Sequence, residues 1–150
     1  MSRERPVDVL SLDKGWALGE EAFAECLSRI APLEPEAILE FGSGISTVRL
    51  SMELLNCKIH SVESNAEFGS RTLVLAKDFE VSARVTVMHR SPSWRRFGLG
   101  LHFTYASGAL PSRVDCLLID GPPGWMCRGR EACMYDAFHS LKIGGLAILD

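Results

Sequence analysis

The stretch "ILEFGSGIST", residues 38–47, decides the fold of this chain. A short apolar run ends at Phe41, glycines follow at positions 42 and 44, and a helix-like segment starts at Ile45. This order predicts a buried β-strand, a tight turn and an α-helix. In an open parallel sheet, ligands bind outside the carboxyl ends of the strands, where this turn would lie. The stretch therefore predicts both a fold class and a place for a ligand.

The rest of the sequence continues the alternation of strand-like and helix-like segments. Such an order predicts an α/β fold with a parallel sheet and right-handed crossover connections. We expect an N-terminal helical segment at residues 1–36 and one domain at residues 37–150. The predicted strands are 37–41, 58–63, 84–88, 114–120 and 146–150, and the predicted helices are 17–30, 45–55, 66–78 and 130–141.

Residues 89–113 have the least regular pattern. Apolar residues alternate at Leu99, Leu101, Phe103 and Tyr105, which is compatible with a short strand or an extended flap. A helix in this stretch is an equal alternative.

The composition narrows the function classes. The chain has 150 residues, 47% of them hydrophobic, and a net charge of −3, which suit one packed domain without a nucleic-acid-binding surface. No apolar run approaches the ~18 residues of a membrane span, and no signal-peptide core is present. The five cysteines include no CxxC pair, which is typical of reduced thiols. We expect a soluble, cytoplasmic protein.

Two acids flank the glycine turn in the predicted sheet. Glycines at 42 and 44 let a ligand approach the main chain, and Ser46 or Thr47 can cap the helix that follows. Glu63 ends the second predicted strand, where a carboxylate can bind the two hydroxyls of a ribose. Glu40 lies inside an apolar strand, where an acid is costly unless it is hydrogen-bonded or faces a cation.

These residues discriminate between nucleoside cofactors. A dinucleotide fingerprint requires a small residue at the position that Thr47 occupies, and an acid at Glu40 is an odd neighbour for a diphosphate. A ligand with a cationic amino-acid portion beside an adenosine suits Glu40 better.

Four motifs of the sequence, which together span residues 38–150, carry a family resemblance: "ILEFGSGIST", "IHSVESN", "VDCLLIDGPPG" and "LKIGGLAILD". In this order they resemble the motifs of class I S-adenosylmethionine-dependent methyltransferases. The resemblance implies a Rossmann-like three-layer sandwich with strand order 3-2-1-4-5, in which the last two of the family's usual seven strands are absent. It also implies S-adenosylmethionine as cofactor and a small-molecule acceptor.

The resemblance also implies the roles of individual residues. Trp94 could cover the adenine ring, although a plain core tryptophan is an equal alternative. The methionine end of the cofactor would be surrounded by Glu40, Gly42, Gly44, Ser46 and Thr47; the ribose would be held by Glu63 with Ser64 beside it; and the adenine would be contacted by His89, Arg90 and Ser91.

Asp120 is the candidate catalytic residue and also borders the cofactor site. It ends an apolar strand, and the "GPPG" turn behind it fixes its direction. In the catechol O-methyltransferase type, Mg²⁺ is held by an acid after the fourth strand and an Asp-Asn pair after the fifth. Asp120 and Asp150 match the two acids, but the asparagine would fall after the last residue. We therefore assign no metal ligands.

We expect a methyltransferase acting on a small molecule, with oxygen slightly favoured over nitrogen. A non-catalytic methyltransferase-like module that binds cofactor or a partner is one alternative, and an oxidoreductase that binds NAD or a nucleotide sugar is another. Residues 146–150 would form an apolar edge strand. Either the sequence is a fragment of a longer chain, or a second copy or another chain covers this edge.

Overall fold

The computed structural model describes residues 10–11 and 18–149. Five parallel strands form its main sheet, in the order β3-β2-β1-β6-β7, and the predicted α/β fold and strand order are confirmed. The sheet strands are β1 (Ala37–Phe41), β2 (Lys58–Glu63), β3 (Val85–His89), β6 (Val114–Ile119) and β7 (Leu141–Leu149); β4 (Pro92–Phe97) and β5 (Gly100–Tyr105) form a second sheet; the helices are α1 (Glu20–Ile30), α2 (Ile45–Glu53), α3 (Ala66–Asp78) and α4 (Gly129–Ala137).

Helices and the small sheet cover the two faces of the main sheet. On one face, Ile38 packs with Phe23 of α1 and Leu50 of α2. On the other face, Leu39 packs with Cys133 of α4. Both faces are therefore buried, which explains why the strands read as nearly continuous apolar runs. The three-layer arrangement agrees with the prediction.

Residues 92–105 form an antiparallel β-hairpin with a two-residue loop at Gly98 and Leu99. Gly98 has a φ of +57°, a left-handed conformation that glycine adopts easily. The alternation at Leu99–Tyr105 thus marks a strand, β5. The alternative prediction of a helix in this stretch is wrong.

The last helix and strand differ from their predicted bounds. The helix ends at Ala137, and β7 begins at Leu141, so a strand that starts only at residue 146 is wrong. Leu141 pairs with Val114 and Leu146 pairs with Cys116, which leaves residues 142–145 opposite Asp115 as a bulge. The residues "KIGG" therefore interrupt the pairing of one strand instead of separating a helix from a strand.

Asp115 anchors this bulge to the start of the sheet. Its carboxylate accepts hydrogen bonds from Lys142 Nζ at 2.6 Å and from the main-chain N–H groups of Glu36 at 2.9 Å and Ala37 at 3.0 Å. Partial burial by itself raises the pKa of Asp115, but the hydrogen bonds from Lys142, Ala37 and Glu36 lower it below 3.8.

Asp115→Asn is expected to lower the free energy of unfolding at pH 7 by ~1.5–3 kcal/mol, because hydrogen bonds to a charged acceptor are lost. A lowered folded-state pKa stabilises the protein above the unfolded pKa, and this contribution disappears as the pH falls through the folded value. Urea unfolding should therefore show the difference between variant and wild type at pH 7 and a smaller one near pH 3. An equal difference at both pH values would contradict this role.

The N-terminal helix begins later than predicted. It starts at Glu20 and buries Phe23, Cys26 and Ile30, whereas residues 12–17 lie outside the described part of the chain. The division of the chain at residues 36 and 37 stays a prediction. Among the helices that the structure describes, none has the length and apolar character to cross a membrane.

Candidate active site

The carboxyl ends of β1, β2 and β6 meet at one edge of the main sheet. The turn after β1 is held from both sides by main-chain hydrogen bonds. Gly42 N–H donates to the carbonyl of Val62 at 2.8 Å, and Gly121 N–H donates to that of Phe41 at 2.6 Å. The turns after β1 and β6 are therefore in direct contact, and the site can be built from their residues and those at the end of β2.

The two glycines of the first turn lack a side chain for different reasons. Gly42 has a φ of +98°, and a Cβ on it would lie 3.2 Å from Gly121 N. A Cβ on Gly44 would meet nothing within 4 Å. Gly42 is thus required by the packing of the protein itself, whereas Gly44 leaves open space at the surface of the turn.

Glu40 is fully buried at the end of β1. Its two carboxylate oxygens accept hydrogen bonds from Ser46 Oγ at 2.9 Å and from Thr47 Oγ1 at 2.5 Å. Thr47 Oγ1 in turn accepts from the N–H of Gly44 at 3.1 Å. Glu40 therefore fixes the start of α2 and the glycine turn.

Burial raises the pKa of Glu40 from 4.5 to about 7. The hydrogen bonds from Thr47 and Ser46 oppose this rise, and the negative charge of Asp120 adds to it. The donors to Glu40 among the described residues are neutral hydroxyls, so they do not compensate its charge. A cation near this turn would compensate it and lower the pKa.

Glu63 ties the end of β2 to the glycine turn. One oxygen accepts from Ser43 N–H at 2.9 Å and from Ser43 Oγ at 3.0 Å, while the other accepts from Asn65 N–H at 2.8 Å. The residue is only 7% exposed. Each carboxylate oxygen can accept two hydrogen bonds, and the hydroxyl of Ser43 is the donor that ligand hydroxyls could replace without unfolding the main chain.

Asp120 follows β6 directly and is partly buried. Its N–H donates to the carbonyl of Phe41 at 3.1 Å, which places it beside the end of β1. The charge of Asp120 raises the pKa of Glu40, so the two acids are electrostatic neighbours. Their proximity concentrates negative charge at this edge of the sheet.

The predicted adenine segment is only partly directed to this site. His89 pairs in register with Glu63, and its Nε2 lies 3.1 Å from the carbonyl oxygen of Ser64. A guanidinium N–H of Arg90 instead donates a hydrogen bond to the carbonyl of Ala109, and the carbonyl of Ser91 accepts one from Ala106 N–H at 2.9 Å. His89 and Ser64 thus come together, while Arg90 turns towards the segment before β6.

Trp94 is not a core residue, because 60% of it is exposed. Its ring lies 5.1 Å from that of Phe103 across the hairpin. The core alternative is therefore wrong, and a role over adenine stays a prediction.

Tyr105 is a site residue that the sequence analysis missed. It is buried, its ring lies 5.6 Å from that of Phe41, and a Cβ on Gly121 would come within 2.6 Å of its hydroxyl. Burial raises the pKa of Tyr105, and the charges of Glu63 and other acids raise it further, so the hydroxyl stays protonated. The only sequence signal for Tyr105 was the apolar alternation of residues 99–105, which indicates that Tyr105 shares a strand face with Phe103.

Metal ligation finds no support among the described residues. Within residues 10–11 and 18–149, no group of three His, Cys, Asp or Glu side chains is arranged to hold a metal ion. Asp150 lies outside this range.

Comparisons with known proteins identify the fold. No protein-family model matches the chain, and a search of curated proteins gives no match. Among solved structures, the O-methyltransferase TomG from Streptomyces achromogenes in complex with SAM matches with a TM-score of 0.53 and 16% identity, over 72% of this chain and 47% of its own. The SAH-bound methyltransferase PaMTH1 from Podospora anserina matches with a TM-score of 0.57 and 18% identity, over 85% and 51%.

A third match, YjhP from E. coli, has a TM-score of 0.61 and 18% identity over 89% of this chain and 50% of its own. The chain spans about half the length of these solved structures. Its fold is that of the class I S-adenosylmethionine-dependent methyltransferases, which confirms at the level of the fold the resemblance carried by the motifs.

Proposed function

We propose that this chain binds S-adenosylmethionine and transfers its methyl group to a small-molecule acceptor, with oxygen slightly favoured over nitrogen. The observation that carries the proposal is Glu40, a fully buried acid whose described donors are neutral and whose pKa is raised to about 7. A cationic ligand at the adjoining turn would offset this buried charge. The structural neighbours that are methyltransferases support the same function.

The residues of the site fit such a ligand. The acids of β1, β2 and β6 give the edge a negative potential suited to a sulfonium and an ammonium group. Gly44 leaves space beside the turn, and Glu63 could accept a sugar hydroxyl in place of the hydroxyl of Ser43. Because Glu40 is covered by Ser46 and Thr47, it would act as a positioning residue and through its charge.

When bound, S-adenosylmethionine supplies an electrophilic methyl group. The chain's own contribution is to align the acceptor with that group and to remove the acceptor's proton where the acceptor is a hydroxyl. We assign Asp120 as the base. It lies directly after β6, the "GPPG" turn that follows it fixes its direction, and it is an electrostatic neighbour of Glu40. Tyr105 keeps its hydroxyl proton and can orient the acceptor by a hydrogen bond.

Isothermal titration calorimetry with S-adenosylhomocysteine and with NAD tests this function. We expect heat on titration with S-adenosylhomocysteine and none with NAD. The reverse result would favour the oxidoreductase alternative, in spite of the buried Thr47 at the third fingerprint position. Binding of S-adenosylhomocysteine without methylation of any acceptor would favour the non-catalytic module.

Glu63→Ala is expected to weaken S-adenosylhomocysteine binding by ~1–3 kcal/mol, or about 5- to 150-fold in Kd, because hydrogen bonds to a carboxylate are lost. Glu67→Ala is a matched control, since Glu67 is an exposed acid in the first turn of the next helix. An unchanged Kd in Glu63→Ala, measured by calorimetry, would mean that the ribose does not bind there.

Coverage of the edge strand β7 by a second copy or another chain is also a proposal. β7 is an edge of the described sheet, and Ile143 and Leu149 are exposed on it. Sedimentation of the purified chain tests this proposal.

A further inference from the structure

The β4–β5 hairpin has two faces, and α4 covers only one of them. Because side chains alternate across a strand, residues 93, 95, 97, 102 and 104 share one face, which we call the helix face. On it, Arg95 forms an ion pair with Asp136, and the ring of Phe97 stacks 5.4 Å from that of Tyr135. Thr104 Oγ1 donates to the carbonyl of Gly129 at 3.2 Å. The helix face is thus occupied by the protein itself.

The opposite face, which we call the site face, carries Trp94, Arg96, Leu101, Phe103 and Tyr105. Its inner end is Tyr105, which reaches the turns after β1 and β6. The next pair outward is Trp94 and Phe103, and adjacent same-face pairs on a sheet are ~7 Å apart along the strands. The site face therefore runs from the candidate cofactor site towards the surface.

A further aromatic ring joins this face from the loop that begins at Asp120. The ring of Trp125 lies 6.0 Å from that of Phe103. The main chain holds the two elements together, since Phe103 N–H donates to the carbonyl of Cys127 at 2.9 Å. Trp94, Phe103 and Trp125 form what we call the aromatic wall, and it is fixed relative to the loop of Asp120.

The aromatic wall is exposed although its rings are large and apolar. Trp94 is 60% and Trp125 is 65% exposed, and Leu101 beside them is 54% exposed. Contiguous exposed apolar surface of this kind marks a binding site, and aromatic rings prefer other π-systems at the 4.5–7 Å spacings typical of such contacts. The wall is also continuous, through Tyr105, with the acids of the candidate cofactor site.

Building on the proposed function, we propose that the aromatic wall binds the acceptor, and that the acceptor is a planar aromatic molecule with a hydroxyl group. The ring of such a molecule stacks on Trp94 and Trp125, and its hydroxyl group points inward to Tyr105 and Asp120. Small-molecule sites are lined mainly by apolar and aromatic side chains, with a few polar groups that fix the orientation of the ligand. Saturated alcohols of the same size lack the π-face and bind this wall less well.

Calorimetry with 2-naphthol and with decahydro-2-naphthol tests this proposal in the wild-type chain, with and without saturating S-adenosylhomocysteine. The two probes share size and hydroxyl group but differ in planarity. We expect 2-naphthol to bind ~10-fold or more tightly than its saturated analogue. Equal affinity of the two probes, or no heat with 2-naphthol, would overturn the proposal.

Variants locate the binding. Trp94→Leu and Trp125→Leu should each weaken 2-naphthol binding by ~3- to 10-fold, and Trp125→Leu should keep its S-adenosylhomocysteine affinity. Phe138→Leu is the matched control, because Phe138 is an aromatic residue 70% exposed beyond the end of α4. Wild-type 2-naphthol affinity in both tryptophan variants would overturn the proposal.

The outcomes also separate this inference from the proposed function. If S-adenosylhomocysteine does not bind but 2-naphthol binds in a tryptophan-dependent way, the aromatic wall stands and methyl transfer is wrong. If S-adenosylhomocysteine binds but the two naphthol probes bind alike, the wall is wrong and the methyltransferase proposal remains.

Discussion

Glu40→Gln is expected to stabilise the protein at pH 8 by up to ~3 kcal/mol and at the same time to weaken S-adenosylhomocysteine binding. The folded state raises the pKa of Glu40 from 4.5 to about 7, which means that the fold disfavours the charged form. A neutral amide of the same shape avoids the cost of burying that charge. Ser46 and Thr47 can still hydrogen-bond to the amide, so the packing of the turn is retained.

The sign of the pH dependence follows from the direction of the pKa shift. A raised folded-state pKa stabilises the protein fully below the unfolded value of 4.5, and this stability is lost as the pH rises through about 7. Wild type and Glu40→Gln should therefore have similar unfolding free energies near pH 4.5 and differ most at pH 8. Urea unfolding at both pH values measures the difference.

Glu53→Gln is the control for this experiment, because Glu53 is exposed on α2 and should show no such difference. Ligand binding gives a second readout. The affinity of the wild type for S-adenosylhomocysteine should rise as the pH increases through 7, since the carboxylate attracts the ligand's ammonium group, and Glu40→Gln should lack this rise. If Glu40→Gln were less stable than the wild type at pH 8, burial of the charged Glu40 carboxylate would not cost the stability that we assign to it.

A buried acid that costs stability is typical of functional sites, where proteins exchange stability for binding. If Glu40 served only to fix the turn, glutamine would perform that task better. The opposing effects of Glu40→Gln on stability and on binding therefore separate a structural role from a functional one.

The sequence predicted the main sheet because its strands carry strong local signals. The bounds of β1, β2 and α3 agree with the prediction, since each is a short apolar run or a regular helical period that ends at a turn residue. The hairpin was missed although Gly98 occupies the first position of a two-residue loop, a known hairpin signal. Pro92 and the charged residues of β4 obscured its alternation.

The candidate site was only partly predictable, because its composition depends on contacts between distant segments. Glu40 and Glu63 could be located from strand ends alone. The placement of Tyr105 against Gly121 depends on how the hairpin folds back, which no local pattern specifies. Arg90 turns to Ala109 for the same reason, since that partner lies 19 residues away.

Substitution by alanine should affect a different property at each glycine of the first turn: stability at Gly42 and ligand binding at Gly44. Gly42→Ala is expected to destabilise the protein by ~2–4 kcal/mol. Its φ of +98° is unfavourable for alanine, and the new Cβ would lie 3.2 Å from N and 3.5 Å from Cα of Gly121, both main-chain atoms that no rotamer change can move. Thermal and urea unfolding measure this loss.

Gly44→Ala should change stability by less than ~1 kcal/mol, because its Cβ meets nothing within 4 Å and the substitution affects only a helix N-cap. The added methyl group should nevertheless weaken S-adenosylhomocysteine binding by ~10-fold, since it fills the space that we assign to the ligand. Calorimetry of the folded variant measures this effect. Wild-type affinity in Gly44→Ala would place the ligand elsewhere, whereas wild-type stability in Gly42→Ala would mean that the contact with Gly121 does not constrain the turn. Because each glycine serves as the control for the other, the pair separates what the turn needs in order to fold from what it needs in order to bind.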